Sequence, residues 1–306
     1  MRKRYVAPIL ACIALAFPAG ALAHAKSPTV ALDYRLQLAS PPADVDVDVL
    51  DGDRSLRVGV DRGTLLLRGD LGEPMLRIGP EGAWANRASV TAQAQRLATA
   101  GRGWVRVGGN PFAWHDHRLA PPPYDGGKTG AVARFAIPAS LDGRRVAVAG
   151  TFVRYARPSP WPWLAGMLIG AAILGAVVWL RPQIRSPYVT ALGTIAGAAA
   201  LIALVTFGVA DGPSGRVAWV QIALGCALAI AVVAGLVRLH GERRVVLAGL
   251  VGAAAAVSNI GTFGVFRHGV VISALPTALS RTVCAVALAA GIAAAVAVAA
   301  THEGTR

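Results

Sequence analysis

Five consecutive residues, Trp114-His115-Asp116-His117-Arg118, place two imidazoles and one carboxylate within three positions of a chain that has six histidines. If residues 112–118 are extended, His115 and His117 project from one face of the segment and Asp116 from the other. Two imidazoles on one face can bind a single divalent metal ion, with Asp116 orienting one ring by a hydrogen bond. The motif therefore predicts a metal site, and copper suits nitrogen ligands of this kind.

The same residues also allow a structural interpretation. Trp114 would then anchor the core of a domain, Arg118 would pair with Asp116, and the two histidines would face water or a partner. One His-x-His pair is a short pattern, so the choice depends on whether other donors reach it. His268 lies in a loop predicted on the same side of a membrane, which makes it a candidate extra ligand.

Residues 1–23 have the pattern of a signal peptide. Met1–Arg4 is basic, Tyr5–Phe17 is a short apolar run, and Ala21-Leu22-Ala23 fits a cleavage site. Cleavage after Ala23 would make His24 the N-terminus, where its amine and imidazole can chelate one metal ion together. A second cleavage pattern ends at residue 25, and cutting there would remove His24.

Composition indicates a membrane protein. The formal net charge is +14, but 55% of the residues are hydrophobic and they form long apolar runs. The excess of basic residues is small in residues 24–157, and no basic strip interleaved with aromatic residues is visible there, so no nucleic-acid partner is predicted. The three cysteines are Cys12, Cys226 and Cys284, which excludes a disulfide framework or a thiolate metal site in residues 24–157.

The sequence nominates no catalytic residue. It has no G-x-S-x-G, no H-E-x-x-H and no P-loop, so an enzyme is the weaker interpretation. A redox enzyme with copper at the amine of His24 remains a third hypothesis.

Residues 24–157 read as an all-β domain, a sandwich of the immunoglobulin type. Residues alternate between apolar and polar in Val30–Leu38 and Val45–Val49, which is typical of half-buried strands. Asp46 and Asp48 then lie on the solvent face of a strand. Only Ala88–Ala100 has a helical pattern. Further strands are predicted at Leu56–Val60, Thr64–Arg68, Met75–Ile78, Trp104–Val107, Val132–Ile137 and Arg145–Arg154.

A Pro- and Trp-rich hinge at residues 158–163 leads into an all-α transmembrane domain that continues to residue 306. The arginine-rich connectors at 181–187 and 238–244 are predicted inside and the β domain outside, with a cytoplasmic C-terminus. The lipid bilayer is thus one predicted partner. Five apolar segments are each about 20 residues long, the length needed to cross a bilayer: 163–180, 188–210, 217–237, 245–265 and 282–301.

Few polar residues lie inside these spans, and none of those in mid-span is ionisable. An ion or proton pathway needs such groups, so an anchoring or partner-binding bundle is favoured over a transporter. Asn259 is interpreted as a hydrogen-bonding contact between helices.

Several motifs resemble a known group of proteins. Gly72–Arg77, Trp114–Arg118 and Ser159–Trp163, with Phe266-Arg267 and Ser273–Pro276, resemble exported multi-pass membrane proteins of actinobacteria. The predicted mature start and sandwich are similar to CopC-type copper-binding proteins, and the fused helices to a CopC–CopD arrangement. This resemblance implies a membrane-anchored, copper-binding outer domain. The chain departs from the pattern at Leu119-Ala120, where related proteins continue with further donor residues.

Two hypotheses follow. The first is an integral membrane protein whose exported domain binds copper or another divalent metal through His115 and His117, with His24, for metal handling at the outer face of the cytoplasmic membrane. The alternative is a non-catalytic envelope protein whose outer domain docks a protein or cell-wall partner.

Overall fold

The computed structural model describes residues 31–50, 54–124, 126–210 and 217–303. The chain forms two compact units: a β unit from Leu32 to Ala156 and a helical unit that begins at Arg157. The predicted order, an all-β domain followed by five apolar helices, is confirmed. The predicted signal peptide and His24 lie outside the described residues.

The β unit consists of antiparallel strands in two sheets that share one core. The larger sheet has seven strands in the order β2-β11-β10-β5-β6-β7-β8, and the smaller has the order β3-β4-β9. A two-residue strand, β1 Ala31–Leu32, precedes these sheets and belongs to neither of them. The strands of the two sheets are β2 Tyr34–Leu38, β3 Val45–Leu50, β4 Ser55–Val60, β5 Leu65–Arg68, β6 Pro74–Gly79, β7 Gly82–Asn86, β8 Trp104–Gly108, β9 Phe112–His115, β10 Gly130–Leu141 and β11 Arg144–Arg154.

Alternating side chains explain how the smaller sheet meets the larger. Val45 and Val47 on β3 are buried, whereas Asp46 and Asp48 between them are exposed, as the alternation predicts. On the exposed face, Arg57 of β4 donates to Asp48 at 2.7 Å. The buried faces of both sheets contribute to the same core, including Val58, Leu67, Met75, Ile78, Ile137 and Phe152.

Two strands and most of one helix differ from the prediction. β7 was not predicted, because its Gly-Ala-Trp-Ala-Asn sequence has no alternation of aliphatic and polar residues. β9 is only four residues long and ends at His115, short of the extended segment considered over residues 112–118. The helix predicted over Ala88–Ala100 is a single turn, α1, at Val90–Ala94. Ser89 caps its N-terminus, and Arg96 has a positive φ of 58° that ends any continuation.

The long hairpin of β10 and β11 closes on Asp142 and Gly143. Both have positive φ, 48° and 84°, which is the backbone that a two-residue hairpin turn requires. Leu141 pairs with Arg144, and the ladder continues to the pair of Gly130 and Arg154. The turn therefore fixes the register of the strands that join β2 to β5.

In the described part of the helical unit, residues 157–210 and 217–303, five helices are long and apolar enough to cross a membrane. The fourth ends at Ile260, because Gly261 and Thr262 turn the chain into a 3-10 helix at Phe263–Phe266. A two-residue strand, β12, follows at Val270–Val271. The helices are α2 Trp161–Leu180, α3 Arg185–Ala210, α4 Trp219–Arg238, α5 Glu242–Ile260 and α6 Thr277–Glu303.

Small residues set the packing of the helical unit. α3, α5 and α6 pack on one another, and glycines lie where their backbones approach closely. A Cβ placed on Gly252 of α5 would lie 2.7 Å from the Ala294 Cβ and 3.1 Å from the Gly291 carbonyl oxygen of α6. Such contacts are the usual basis of helix association in lipid.

Candidate functional site around Asp116

The motif begins on β9, which pairs with β4 so that Ser55 lies opposite His115 and Leu56 opposite Trp114. Trp114 is buried in the core, and His115 is exposed at the end of the strand. The Ser55 Oγ lies 2.8 Å from the Nδ1 of His115. This hydrogen bond fixes the orientation of the imidazole ring.

The strand ends at His115, so the extended conformation over residues 112–118, on which the same-face geometry of His115 and His117 was conditional, does not continue beyond Asp116. His117–Leu119 forms a 3-10 turn, and the Asp116 side chain caps it by accepting a hydrogen bond from the Arg118 amide at 3.0 Å. A short polar side chain before a helical turn commonly caps it in this way, which is the physical reason for the break. His117 therefore lies on a turn and His115 on a strand.

Asp116 is the buried centre of the motif. Its carboxylate accepts hydrogen bonds from Arg118 Nη2 at 2.6 Å and from Arg118 Nε at 2.8 Å. It accepts a third from the Trp114 Nε1 at 3.1 Å. Burial alone would raise the pKa of Asp116, but the hydrogen bonds and charge of Arg118, with the bond from Trp114, hold that pKa below its usual value. Trp114 and Arg118 thus have the contacts that the structural interpretation predicts.

His117 is held by hydrogen bonds at both ring nitrogens. Its Nε2 lies 2.8 Å from Asp70 Oδ2, and its Nδ1 lies 3.1 Å from Gln95 Nε2. In the tautomer assigned from these partners, Nε2–H donates to Asp70 and Nδ1 accepts from Gln95. A metal ion at His117 would have to displace one of these bonds.

Arg118 connects the motif to the turn between β5 and β6. Its Nη1 donates to the Arg68 carbonyl oxygen at 2.8 Å, and its Nε lies 3.7 Å from Asp70 Oδ1. The Nη2 also lies 4.0 Å from the Met75 Sδ. Two segments of the resemblance, Gly72–Arg77 and Trp114–Arg118, therefore meet in the fold.

Glu73 holds the same turn against the N-terminus of α1. Its carboxylate accepts from the Ser89 hydroxyl at 2.7 Å and from the backbone amides of Thr91 and Leu71 at 3.2 and 3.1 Å. Desolvation would raise the pKa of Glu73, but the hydrogen bonds from Ser89 and Thr91 outweigh it and lower the pKa to about 2. Sequence reasoning did not find this contact, because nothing local to Glu73 indicates which helix it caps.

Metal ligands are only partly assembled. In residues 31–50, 54–124, 126–210 and 217–303, no three His, Cys, Asp or Glu side chains form a group that can hold a metal ion. Asp116 is neutralised by Arg118, and His268 belongs to the helical unit, where its carbonyl oxygen accepts from Arg281 at 2.8 Å. The described donors at the motif are thus His115, His117 and the Asp70 carboxylate that His117 contacts, and they do not form a set of three, so a metal there needs a further donor such as His24.

The fold brings together a second set of residues that the sequence did not reveal. Arg77 pairs across strands with Trp84, Trp84 with Arg106, and Asn86 with Trp104. Because residues two apart share a face, two arginines and two tryptophans lie on one face of β6, β7 and β8. We call Arg77, Trp84, Trp104 and Arg106 the arginine–tryptophan face. It was missed because β7, which supplies Trp84, was not predicted as a strand.

Comparison with known proteins adds no assignment. No protein-family model matches the chain, and no curated protein or solved structure matches it. The function must therefore be argued from the geometry of the β unit and the character of the helices.

Proposed function

We propose that this chain is a membrane-anchored, non-catalytic envelope protein whose β unit lies outside the cytoplasmic membrane and docks a cell-wall partner. The five apolar helices supply the anchor. The leader pattern and the arginines of the connectors, Arg181 with Arg185 and Arg243 with Arg244, support the outward orientation of the β unit.

One observation carries the docking role: the charged groups of the Trp114–Arg118 motif are bonded to partners within the β unit, whereas the arginine–tryptophan face is directed outward. Asp116 is buried in its ion pair with Arg118, and His117 bonds Asp70 and Gln95. Trp104, by contrast, retains 37% of its accessible surface. Exposed tryptophans beside arginines are the composition that protein surfaces use for recognition.

The docking role is tested with the full chain in phosphatidylcholine nanodiscs, sedimented with purified cell-wall material. We expect co-sedimentation that a chelator does not change, and that the double variant His115→Ala/His117→Ala retains. Retention of the protein in the supernatant at every wall concentration would contradict the proposal. Empty nanodiscs are the control for adhesion of lipid.

A second candidate function is binding of copper or another divalent metal through His115, His117 and His24. The favouring observation is that His115 and His117 are both exposed and that side chains of Ser55 and Gln95 orient their rings. Copper would be held by nitrogen donors there.

The metal role is tested by N-terminal sequencing of the mature protein together with titration of Cu(II) followed by electron paramagnetic resonance. If His24 is the N-terminus, we expect one nitrogen-rich Cu(II) signal that His115→Ala and His117→Ala each weaken. A signal unchanged in both variants would remove the motif from the site. The variant His240→Ala is the matched control, because His240 lies in a connector of the helical unit.

A further inference from the structure

We propose that the arginine–tryptophan face binds an acidic polysaccharide whose anionic groups are carboxylates. This inference rests on the proposed docking function and names the partner class. It depends on the side chains of three neighbouring strands, β6, β7 and β8, in the larger sheet.

Arg77 is the cation at the centre of the face. Its guanidinium carbon lies 5.0 Å from the ring centroid of Trp84 and 5.3 Å from that of Trp104. These distances are within the range of cation–π contacts, which orient the guanidinium without using its N–H groups. In the part of the chain that the structure describes, the Arg77 guanidinium makes no hydrogen bond and no ion pair. Its donors therefore remain available for a carboxylate, which the planar fork binds through two bonds.

Arg106 adds a second cation in the adjacent strand. It lies opposite Trp84, and its Nη2 is held by the Glu81 carbonyl oxygen at 3.1 Å. That bond uses one donor and fixes the position of the group, while the side chain stays exposed. Two oriented guanidinium groups on one face can engage successive anionic units of a polymer. A lysine ammonium group would also attract an anion, but it lacks the planar fork that gives arginine its geometric specificity.

The charge of the surrounding segment favours an anionic partner. Residues 74–108 contain five arginines and a single acidic residue, Glu81. Opposite charge on the partner steers its encounter with such a surface and fixes its register. An acidic partner is thus complementary to the face, and a neutral one is not.

The tryptophans favour a sugar polymer over other polyanions. A pyranose ring presents a face of C–H groups that packs on an exposed indole, and Trp104 offers such a ring beside the cations. In the proposed location outside the membrane, a wall glycan is the polyanion that combines sugar rings with carboxylates. Single-stranded nucleic acid would also stack on indoles, and it is one outcome of the test.

The experiment uses the full chain in phosphatidylcholine nanodiscs and polygalacturonate as the probe, with binding measured by interferometry at fixed salt. We expect Arg77→Gln to weaken binding at least tenfold and Trp104→Ala severalfold. Arg77→Lys should fall between Arg77→Gln and the parent, because it keeps the charge and loses the fork. Fully methyl-esterified polygalacturonate should not bind.

Arg145→Gln is the matched control, since it removes one arginine from the exposed end of the β10–β11 hairpin. It should leave binding unchanged. Hydrogen exchange of β6–β8 peptides establishes that each variant keeps the fold. If Arg77→Gln unfolds these strands, Trp104→Ala and Arg106→Gln carry the test instead.

Three results would overturn the inference. Equal affinity for polyglutamate and polygalacturonate would show that charge alone is recognised. Tighter binding of oligodeoxythymidylate than of polygalacturonate would point to nucleic acid, and unchanged polygalacturonate binding by the folded Arg77→Gln variant would exclude the arginine–tryptophan face. If wall sedimentation persists in any of these cases, the docking function stands and only the partner class fails. If the protein does not sediment with wall material, the proposed function fails first.

Discussion

The β unit and the helical unit are stabilised by different means. The β unit buries large aliphatic residues from two sheets and, at its margin, a carboxylate with its arginine. The helical unit buries mainly alanine and valine, with glycines at the closest approaches. In water, burial of apolar surface drives folding and a buried charge must be paired. In lipid that drive is absent between helices, so close backbone packing replaces it.

Threonine hydroxyl groups of α3 are satisfied within their own helix. Thr190 and Thr194 donate to carbonyl oxygens one turn earlier in α3. Asn259, interpreted from the sequence as a contact between helices, donates to Ala255 of its own helix at 2.9 Å. A polar contact to α6 comes from Thr262, just after the end of α5, whose Oγ1 lies 3.6 Å from the Cys284 Sγ. The helices therefore present little polar surface to each other.

Asp116→Ala tests the polar margin of the β unit and should have the largest effect. It removes the carboxylate in closest contact with the guanidinium of Arg118 and leaves Asp70 at 3.7 Å, so we expect a loss of about 3–5 kcal/mol in the free energy of unfolding of this unit. Hydrogen exchange of peptides from β4 and β9 in the full chain measures it. A loss below about 1 kcal/mol would mean that water replaces the carboxylate at no cost.

Gly252→Ala tests the close packing of the helical unit. The new methyl group would lie 2.7 Å from Ala294 Cβ, so α5 and α6 must separate, and we expect a loss of about 1–3 kcal/mol. Unfolding in mixed micelles of increasing dodecyl sulfate content, followed by circular dichroism, measures it. Gly166→Ala is the matched control, because no atom lies within 4 Å of its added Cβ. Equal behaviour of the two variants would contradict the packing argument.

Glu73→Gln tests a partly exposed carboxylate. Because the pKa of Glu73 falls from 4.5 to about 2 on folding, its charge contributes stability above pH 4.5 and loses that contribution as the pH falls toward 2. Solvent screening limits the effect to about 1 kcal/mol at neutral pH. Melting temperatures of the parent and variant should converge between pH 4.5 and 2, and a gap constant with pH would contradict this.

Asp48→Ala should have the smallest effect and sharpens the contrast with Asp116. Its bond to Arg57 is as short, 2.7 Å, but both side chains are exposed. We expect a change of less than about 0.5 kcal/mol, measured by the same exchange experiment on β3 and β4. A loss equal to that of Asp116→Ala would show that length rather than burial determines the strength of these ion pairs.

Patterns within single segments were the predictable part of the fold. Alternation within Val30–Leu38 and Val45–Val49 located β2 and β3. Long apolar runs located all five helices. β7 escaped because alanine and glycine give no alternation, and α1 is short because Arg96 adopts a left-handed backbone that no local pattern indicates.

The candidate sites depended on contacts that sequence spacing does not contain. The pairing of Asp116 with Arg118 is local and was among the predicted alternatives, but Asp70 and Gln95 reach His117 from 47 and 22 residues away. The arginine–tryptophan face required three strands in register, one of them unpredicted. Whether His24 approaches His115 stays a prediction, because His24 lies outside the described residues.

The order of strands in the larger sheet has a consequence for biosynthesis. β2, near the start of the β unit, forms its ladder with β11, whose last residue is Arg154. A nascent chain that has not reached Arg154 leaves the half-buried strand β2 without its neighbour, and such edges invite association between chains. Closure of this sheet must therefore wait until the residues just before the first membrane-length helix, α2, have been synthesised. During that interval the growing polypeptide is exposed to chaperones and proteases.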